Sequence, residues 1–343
     1  MHGKECAATF SIIVPVYNVA EYLSKCLESI LPALKTDDEI ILVLGESTDQ
    51  STELCYQFSE QHEEIKIIHQ SGKGLSNARN CAIENASGDY IVCIDSDDYV
   101  DTKLFCELLN KIRSGCISEE VIAHDYYRFE RKTSRMIPVF QIGDIPERVG
   151  MDFLPKMLHK RQCFWNVWRY IYHRRFIEKK RIIYRENMVS EDVDYTTSVL
   201  LAEPTIRFVH CPFYVYTVGR GDSLMDQPTL KRLSDTVAVL TDAITRLNTA
   251  EFIFASIVTA QFQFEYILNL ALTVEIASED RNVALELYKD WKQVLIPSID
   301  PIVRLSALAM SVIGIRGAAR GLHWLKLVRR WLRNNISTRR KNH

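Results

Sequence analysis

The feature that most constrains this chain is a run of four short apolar segments separated by stretches with helical spacing. The segments cover residues 10–18, the last of these running into a loop, 39–44, 65–69 and 91–94. Each is rich in β-branched residues and bounded by polar turns, so each predicts a buried strand. Between the first two, Leu23, Leu27, Ile30 and Leu31 recur at helical steps. Ser47-Thr48-Asp49 offers N-caps for a helix running to about His62, and residues 75–86 and 103–113 predict two more. Strands alternating with helices imply βαβ units and a mostly parallel α/β sheet. In such sheets ligands bind in the crevice beyond the C-terminal strand ends.

The fourth strand runs straight into Asp95-Ser96-Asp97-Asp98. Buried carboxylates are costly unless something positive meets them. Asp95 and Asp97 are two apart, so on extended backbone they point the same way. Hard oxygen donors so placed suit Mg²⁺ or Mn²⁺, ions that usually arrive with substrate phosphates. Taken alone, so short a motif reads first as an acidic turn that ends the strand and caps the next helix, so the remaining motifs must decide.

Several classes are excluded. No G-x-G-x-x-G follows the first strand, which argues against a dinucleotide-dependent dehydrogenase. Gly72-Lys73-Gly74 lacks the spacing of a phosphate-binding P-loop, and Lys73 reads as a turn residue. The nine cysteines are scattered singly, as in reduced core thiols of a cytosolic protein. The start of the chain has no apolar signal region. The most apolar long stretch, 252–274, carries Gln261, Gln263 and Glu265 and predicts a buried helix rather than a span.

Downstream, residues 121–129 and 136–141 predict a strand pair, and 152–159 a short helix. Phe164-Trp165-Asn166-Val167-Trp168-Arg169-Tyr170-Ile171-Tyr172 is dense in aromatics, which fits core packing or a sugar-binding surface. Ser190 or Glu191 is placed to start a helix through Ala202, where acids favour the helix dipole. Residues 205–210 and 213–218 predict closing strands. Four helices are expected beyond, at 229–247, 252–276, 282–295 and 301–332. A boundary near 225 therefore divides an α/β region, 1–225, from a helical one, 226–343.

In their order, four motifs resemble family 2 glycosyltransferases of the bacterial polysaccharide type, with the nucleotide-diphospho-sugar (GT-A) fold. They are Ile12-Ile13-Val14-Pro15-Val16-Tyr17-Asn18, Gly74-Leu75-Ser76-Asn77-Ala78-Arg79-Asn80, Gly88-Asp89-Tyr90 leading into Asp95-Ser96-Asp97-Asp98, and Glu191-Asp192. The resemblance spans residues 8–224. It implies an inverting transferase that moves a sugar from a nucleotide-diphosphate donor to a glycan hydroxyl. Pro15 and Tyr17 then belong to the donor site, with Tyr17 against the base. Arg79 approaches the base and diphosphate. Asp95 lies near the ribose and metal, Asp97 coordinates Mn²⁺ or Mg²⁺, and Asp192 is the catalytic base with Glu191 beside it toward the acceptor. Arg220 corresponds to a basic residue near the diphosphate. The family usually carries two aspartates and a glycine before Ser-Thr-Asp. Here Val43-Leu44-Gly45-Glu46-Ser47-Thr48-Asp49 lacks the base-reading aspartate, with Glu46 as its substitute, so uridine stands only as the default.

Two rival readings remain: a catalytically reduced nucleotide-sugar-binding scaffold, motivated by Leu44-Gly45, and a nucleotidyltransferase. The second would need a glycine-rich basic loop after the first strand, which Pro15-Val16-Tyr17-Asn18 is not.

Charge adds one expectation. Ten Lys/Arg and no Asp/Glu follow Pro301, whereas residues 1–300 hold 32 basic against 44 acidic groups. Leu308, Val312, Ile315, Ala319, Leu322, Leu325, Val328 and Leu332 recur at three- and four-residue steps, with Trp324 and Trp331 nearby. Residues 301–335 thus read as a basic amphipathic helix for an anionic membrane surface, in keeping with a lipid-linked acceptor and a cytoplasmic, peripheral location. Nucleic acid is not expected, because the acidic body would repel it.

Overall fold

The computed structural model describes residues 7–139, 148–152, 154–155, 164–219, 228–296 and 298–339. Contacts divide the chain into two compact units, Met1–Gly221 and Asp222–His343.

In the first unit, β1 (Phe10–Val16), β2 (Glu39–Leu44), β3 (Ile65–His69) and β4 (Tyr90–Cys93) are separated by helices α1 (Ala20–Ile30), α2 (Ser51–Gln61) and α3 (Gly74–Asn85). All four strands pair in parallel, in the order β3-β2-β1-β4. β1 and β2 are buried along their whole length, as expected of strands covered on both faces. α2 starts two residues later than its apparent caps. Asp49 instead accepts hydrogen bonds from the Ala20 and Ser51 backbone N–H groups at 3.0 Å each, tying the loop after β2 to the loop after β1.

Beyond β4 the sheet turns mixed. It continues through β9 (Tyr170–His173), antiparallel to both neighbours, then β6 (Val121–Glu130), β10 (Ile206–Val218) and β5 (Tyr99–Val100). β6 and β10 are parallel, while β7 (Arg135–Pro138) and β8 (Arg148–Val149) pair antiparallel at the margins. The two closing strands expected from sequence are one strand with a register shift between Val209 and Tyr214. Pro212 sits in that shift and has no N–H to keep the ladder going. The expected strand end at 140–141 and most of the helix expected at 152–159 lie outside the described residues.

The aromatic stretch is core. Phe164, Val167, Trp168, Tyr170, Ile171 and Tyr172 are all buried, and the Trp168 ring stacks on Tyr214 with centroids 4.3 Å apart.

The second unit is helical: Leu230–Thr249, Ala255–Leu272, Arg281–Glu286, Trp291–Leu295 and Pro301–Arg339. The stretch read as one helix at 282–295 is two short ones. In the Ala255–Leu272 helix both glutamines are buried, and Gln263 Nε2 donates to the Val294 carbonyl at 2.6 Å. The last helix is interrupted at Gly314 (φ 71°, ψ 169°). Among the described side chains, its apolar residues therefore do not form one stripe: Ala319 is buried, while Leu308 and Val312 are exposed. Among the described residues, the stretch long and apolar enough to cross a membrane is Pro301–Val328, with mean hydropathy 1.5, and not 252–274.

Candidate active site

The site forms where β1 and β4 end. Ile13 accepts from the Ile94 N–H at 2.9 Å. The next rung of that parallel ladder needs an N–H at position 15, which proline lacks. β4 leaves the sheet there, and the chain turns outward with Asp95, Asp97 and Asp98. Pro15 is itself buried in β1, so its backbone chemistry shapes the site while its ring stays in the core.

One carboxylate oxygen from each of Asp95, Asp97 and Asp98 lies within 4.8 Å of the others. The three are not equivalent. Asp98 is 2% exposed and already engaged: Tyr214 O–H donates to its Oδ2 at 2.7 Å, and the Thr217 N–H to its Oδ1 at 2.7 Å. The same Tyr214 oxygen accepts from the Asp95 N–H at 3.2 Å, so β10 fixes the whole acidic turn. Burial, with Asp97 and Asp95 close by, raises the Asp98 pKa well above the carboxylate range despite those two hydrogen bonds. A cation here would draw on Asp97 and Asp95, with Asp98 setting their positions. Hard oxygen donors at this spacing fit a divalent ion. A cavity of about 240 Å³ opens beside Asp97 and Asp98, walled by Tyr22, Lys25, Tyr99 and Arg131.

Arg79 joins the acidic turn to the second acid pair. It is 1% exposed within α3. Its Nη2 donates to Asp95 Oδ1 at 2.9 Å, and its Nη1 to Glu191 Oε1 at 2.9 Å and Asp192 Oδ1 at 2.8 Å. The guanidinium also lies 5.3 Å from the Tyr184 ring, which stacks on Tyr195 at 3.9 Å. A planar fork with five donors suits this bridging role as lysine would not. One cation serves three carboxylates. Burial raises the Asp192 pKa well above its usual value, with Glu191 and Asp95 adding to the rise and Arg79 opposing it.

Glu191 and Asp192 open the helix Glu191–Leu201, behind Ser190 in left-handed backbone (φ 69°). Such strain is typical of functional turns. The loop ahead of this helix is clamped to α3: Asn80 Nδ2 donates to the Tyr184 carbonyl at 2.8 Å, and the Tyr184 N–H returns to Asn80 Oδ1 at 2.9 Å. Tyr17 stands exposed after β1, and Glu46 is exposed after β2. Arg220 lies outside the described residues. The structure thus gathers Arg79, Asp95, Asp97, Glu191 and Asp192 at one crevice. Sequence reasoning misses Tyr214, Thr217 and Tyr184, since nothing local marks a strand tyrosine or a backbone N–H as the anchor of a distant aspartate, or a loop tyrosine as the neighbour of Arg79.

A strand-end crevice with two acid clusters fits the GT-A class of folds, and comparison with known proteins agrees. The profile of Glycosyl transferase family 2 matches residues 11–182, half of the chain. The chain is 30% identical over 209 residues to the uncharacterized glycosyltransferase EpsJ of Bacillus subtilis, a match covering 60% of each chain. Among solved structures, S. aureus TarS 1-349 in complex with UDP-GlcNAc superposes with a TM-score of 0.66 at 17% identity, covering 92% of this chain and 89% of that one. A Pyrobaculum calidifontis mannosyltransferase in complex with GDP-Man and Mn²⁺ gives a TM-score of 0.56 at 14% identity, covering 93% and 87%. The chain belongs to glycosyl transferase family 2, and its fold is GT-A-like.

Proposed function

We propose that this chain is an inverting glycosyltransferase of surface polysaccharide synthesis. It moves a sugar from a nucleotide-diphosphate donor, a UDP-sugar by default, to a hydroxyl of a lipid-linked glycan. The observation that carries this reading is the Arg79 bridge, which holds Asp95 of the acidic turn and Asp192 of the second acid pair on one guanidinium. Donor-side and acceptor-side acids are thereby held in fixed relation. The S. aureus neighbour bound to UDP-GlcNAc supports a uridine donor, and the mannosyltransferase with Mn²⁺ supports a metal.

In this reading residues 1–225 are the catalytic unit and 226–343 a helical accessory. Asp97 and Asp95 hold Mn²⁺ or Mg²⁺, which when bound stabilises the charge developing on the leaving diphosphate. Asp192 takes the acceptor hydroxyl proton. Its environment favours that role, because a carboxylate with raised pKa is a stronger base near neutral pH. Glu191 orients the acceptor beside it. The acceptor oxygen attacks the anomeric carbon opposite the leaving diphosphate as Asp192 takes its proton, so the centre is inverted and no second, nucleophilic carboxylate is needed. The test is Asp192→Asn. Donor affinity should stay within a few-fold, and turnover should fall by about 10²-fold or more. Unchanged turnover would remove Asp192 from this role. Donor hydrolysis with Mn²⁺ present separates this reading from a scaffold that binds without reacting.

The C-terminal helix supports attachment to an anionic membrane through the part of its apolar stripe that precedes Gly314, extended back to Ile302 and Leu305. Ile302, Leu305, Leu308, Val312 and Ile313 are 52–76% exposed, on a segment that carries ten cations and no acid. Apolar exposure with adjacent positive charge is the composition of an interfacial helix.

A further inference from the structure

The ends of β1, β2 and β3 lie side by side, and each is followed by a residue that the acid chemistry leaves unused. Tyr17 follows β1 with 63% of its surface exposed. Gly45 follows β2 and has no side chain. A Cβ built there would lie 3.2 Å from Tyr17 Cδ2 and 3.5 Å from Gln70 Nε2, so any larger residue would crowd the ring and the amide together. Gln70 follows β3, and its backbone N–H donates to the Leu44 carbonyl at 3.2 Å, fixing it against the end of β2. Among the described residues, its carboxamide makes no hydrogen bond to the protein. The corner therefore offers an open aromatic face, a bare backbone floor and one uncommitted amide.

We propose that Tyr17, Gly45 and Gln70 form the slot for the donor's uracil, with Gln70 as the residue that reads the base. This rests on the uridine donor proposed above and adds the means of recognition. A planar base gains by lying on an aromatic face. A carboxylate could only accept from the base, whereas a carboxamide both donates and accepts. Gln70 Oε1 accepts from uracil N3–H, and Nε2 donates to the adjacent O4. The acid missing at Leu44-Gly45 is thus replaced from the neighbouring strand. Glu46, the next residue after Gly45, is exposed.

The test is a chemical double-mutant cycle by calorimetry on the full chain with Mn²⁺. The ligands are UDP and N3-methyluridine diphosphate, and the proteins are wild type and Gln70→Ala. Methylation should weaken binding to wild type about tenfold, the scale of one lost neutral hydrogen bond. Gln70→Ala should weaken UDP by a similar factor, and methylation should then cost the variant no more than about twofold. Equal losses on methylation in both proteins, or UDP binding insensitive to Gln70, would overturn this inference alone. Failure of wild type to bind UDP would overturn the uridine-donor reading and this inference with it.

Discussion

The two ends of the same parallel strands treat carboxylates in opposite ways. At the N-terminal end, Glu39 Oε1 accepts from Ser11 Oγ at 2.5 Å, Ser87 N–H at 2.7 Å and Ser87 Oγ at 2.8 Å, and Lys66 Nζ lies 2.6 Å from Oε2. Burial alone would raise its pKa, but the bonds from Lys66, Ser11 and Ser87 overcome that and bring it down to about 2. Beside it Asp38 accepts from the Phe10 and Lys35 N–H groups and pairs with Arg113. At the C-terminal end the balance reverses. Five carboxylates converge, Arg79 alone bridges three of them, and burial raises both Asp98 and Asp192. Where donors outnumber acids, the carboxylates hold the fold together. Where several carboxylates crowd one cation and burial raises their pKa values, the pattern is the one that marks candidate sites of binding or chemistry.

Removing the bridge should give the largest effect. Arg79→Met leaves three carboxylates without their shared cation at a nearly buried site. Stability should drop by about 3–5 kcal/mol, the scale of a broken buried ion pair, with activity lost as well. Chemical denaturation of the variant checks this. A loss under about 1 kcal/mol would mean that the acids find other partners, and the contrast between the two ends would be weaker than described.

The opposite end should respond in stability without loss of chemistry. Glu39→Gln should cost about 1–3 kcal/mol, in line with a charged hydrogen-bond acceptor replaced by a neutral one. Activity per folded molecule should be unchanged. Because the folded pKa of Glu39 lies below its usual 4.5, its contribution is fully present above pH 4.5 and is lost as the pH falls toward about 2. The denaturation curves of wild type and Glu39→Gln should therefore converge across that window. A difference that stays constant with pH would show that shape rather than charge is at stake.

The smallest effect is expected outside the sheet. Replacing Leu305, Leu308 and Val312 together by Ser should leave the melting temperature within a few degrees of wild type, since all three are more than 60% exposed. Co-sedimentation with anionic liposomes should fall several-fold. Unchanged binding would assign the attachment to other residues.

The contrast also marks what could be read in advance. β2 and β3 have their predicted ends, because polar turns bound apolar runs sharply. That three carboxylates follow a buried run was legible too, though their use was not: only the order of the other motifs set them apart from an acidic helix cap. The Arg79 bridge was not. Its partners lie 16, 112 and 113 residues away, and no local pattern encodes such a pairing. Tyr214 and Thr217 were hidden for the same reason: they act on Asp98 through a strand contact. The break at Gly314 escaped notice because apolar spacing continues across it, so periodicity alone predicts an uninterrupted helix.

The most direct test of the central claim, that the C-terminal acids hold charge in excess for a cation and its diphosphate, is calorimetric titration of UDP into wild type and Asp97→Ala, each with Mn²⁺ and with chelator. Wild type should bind UDP at least tenfold more tightly with Mn²⁺, and Asp97→Ala should show no metal dependence while melting near the wild-type temperature. Metal-dependent binding retained in Asp97→Ala would contradict the account.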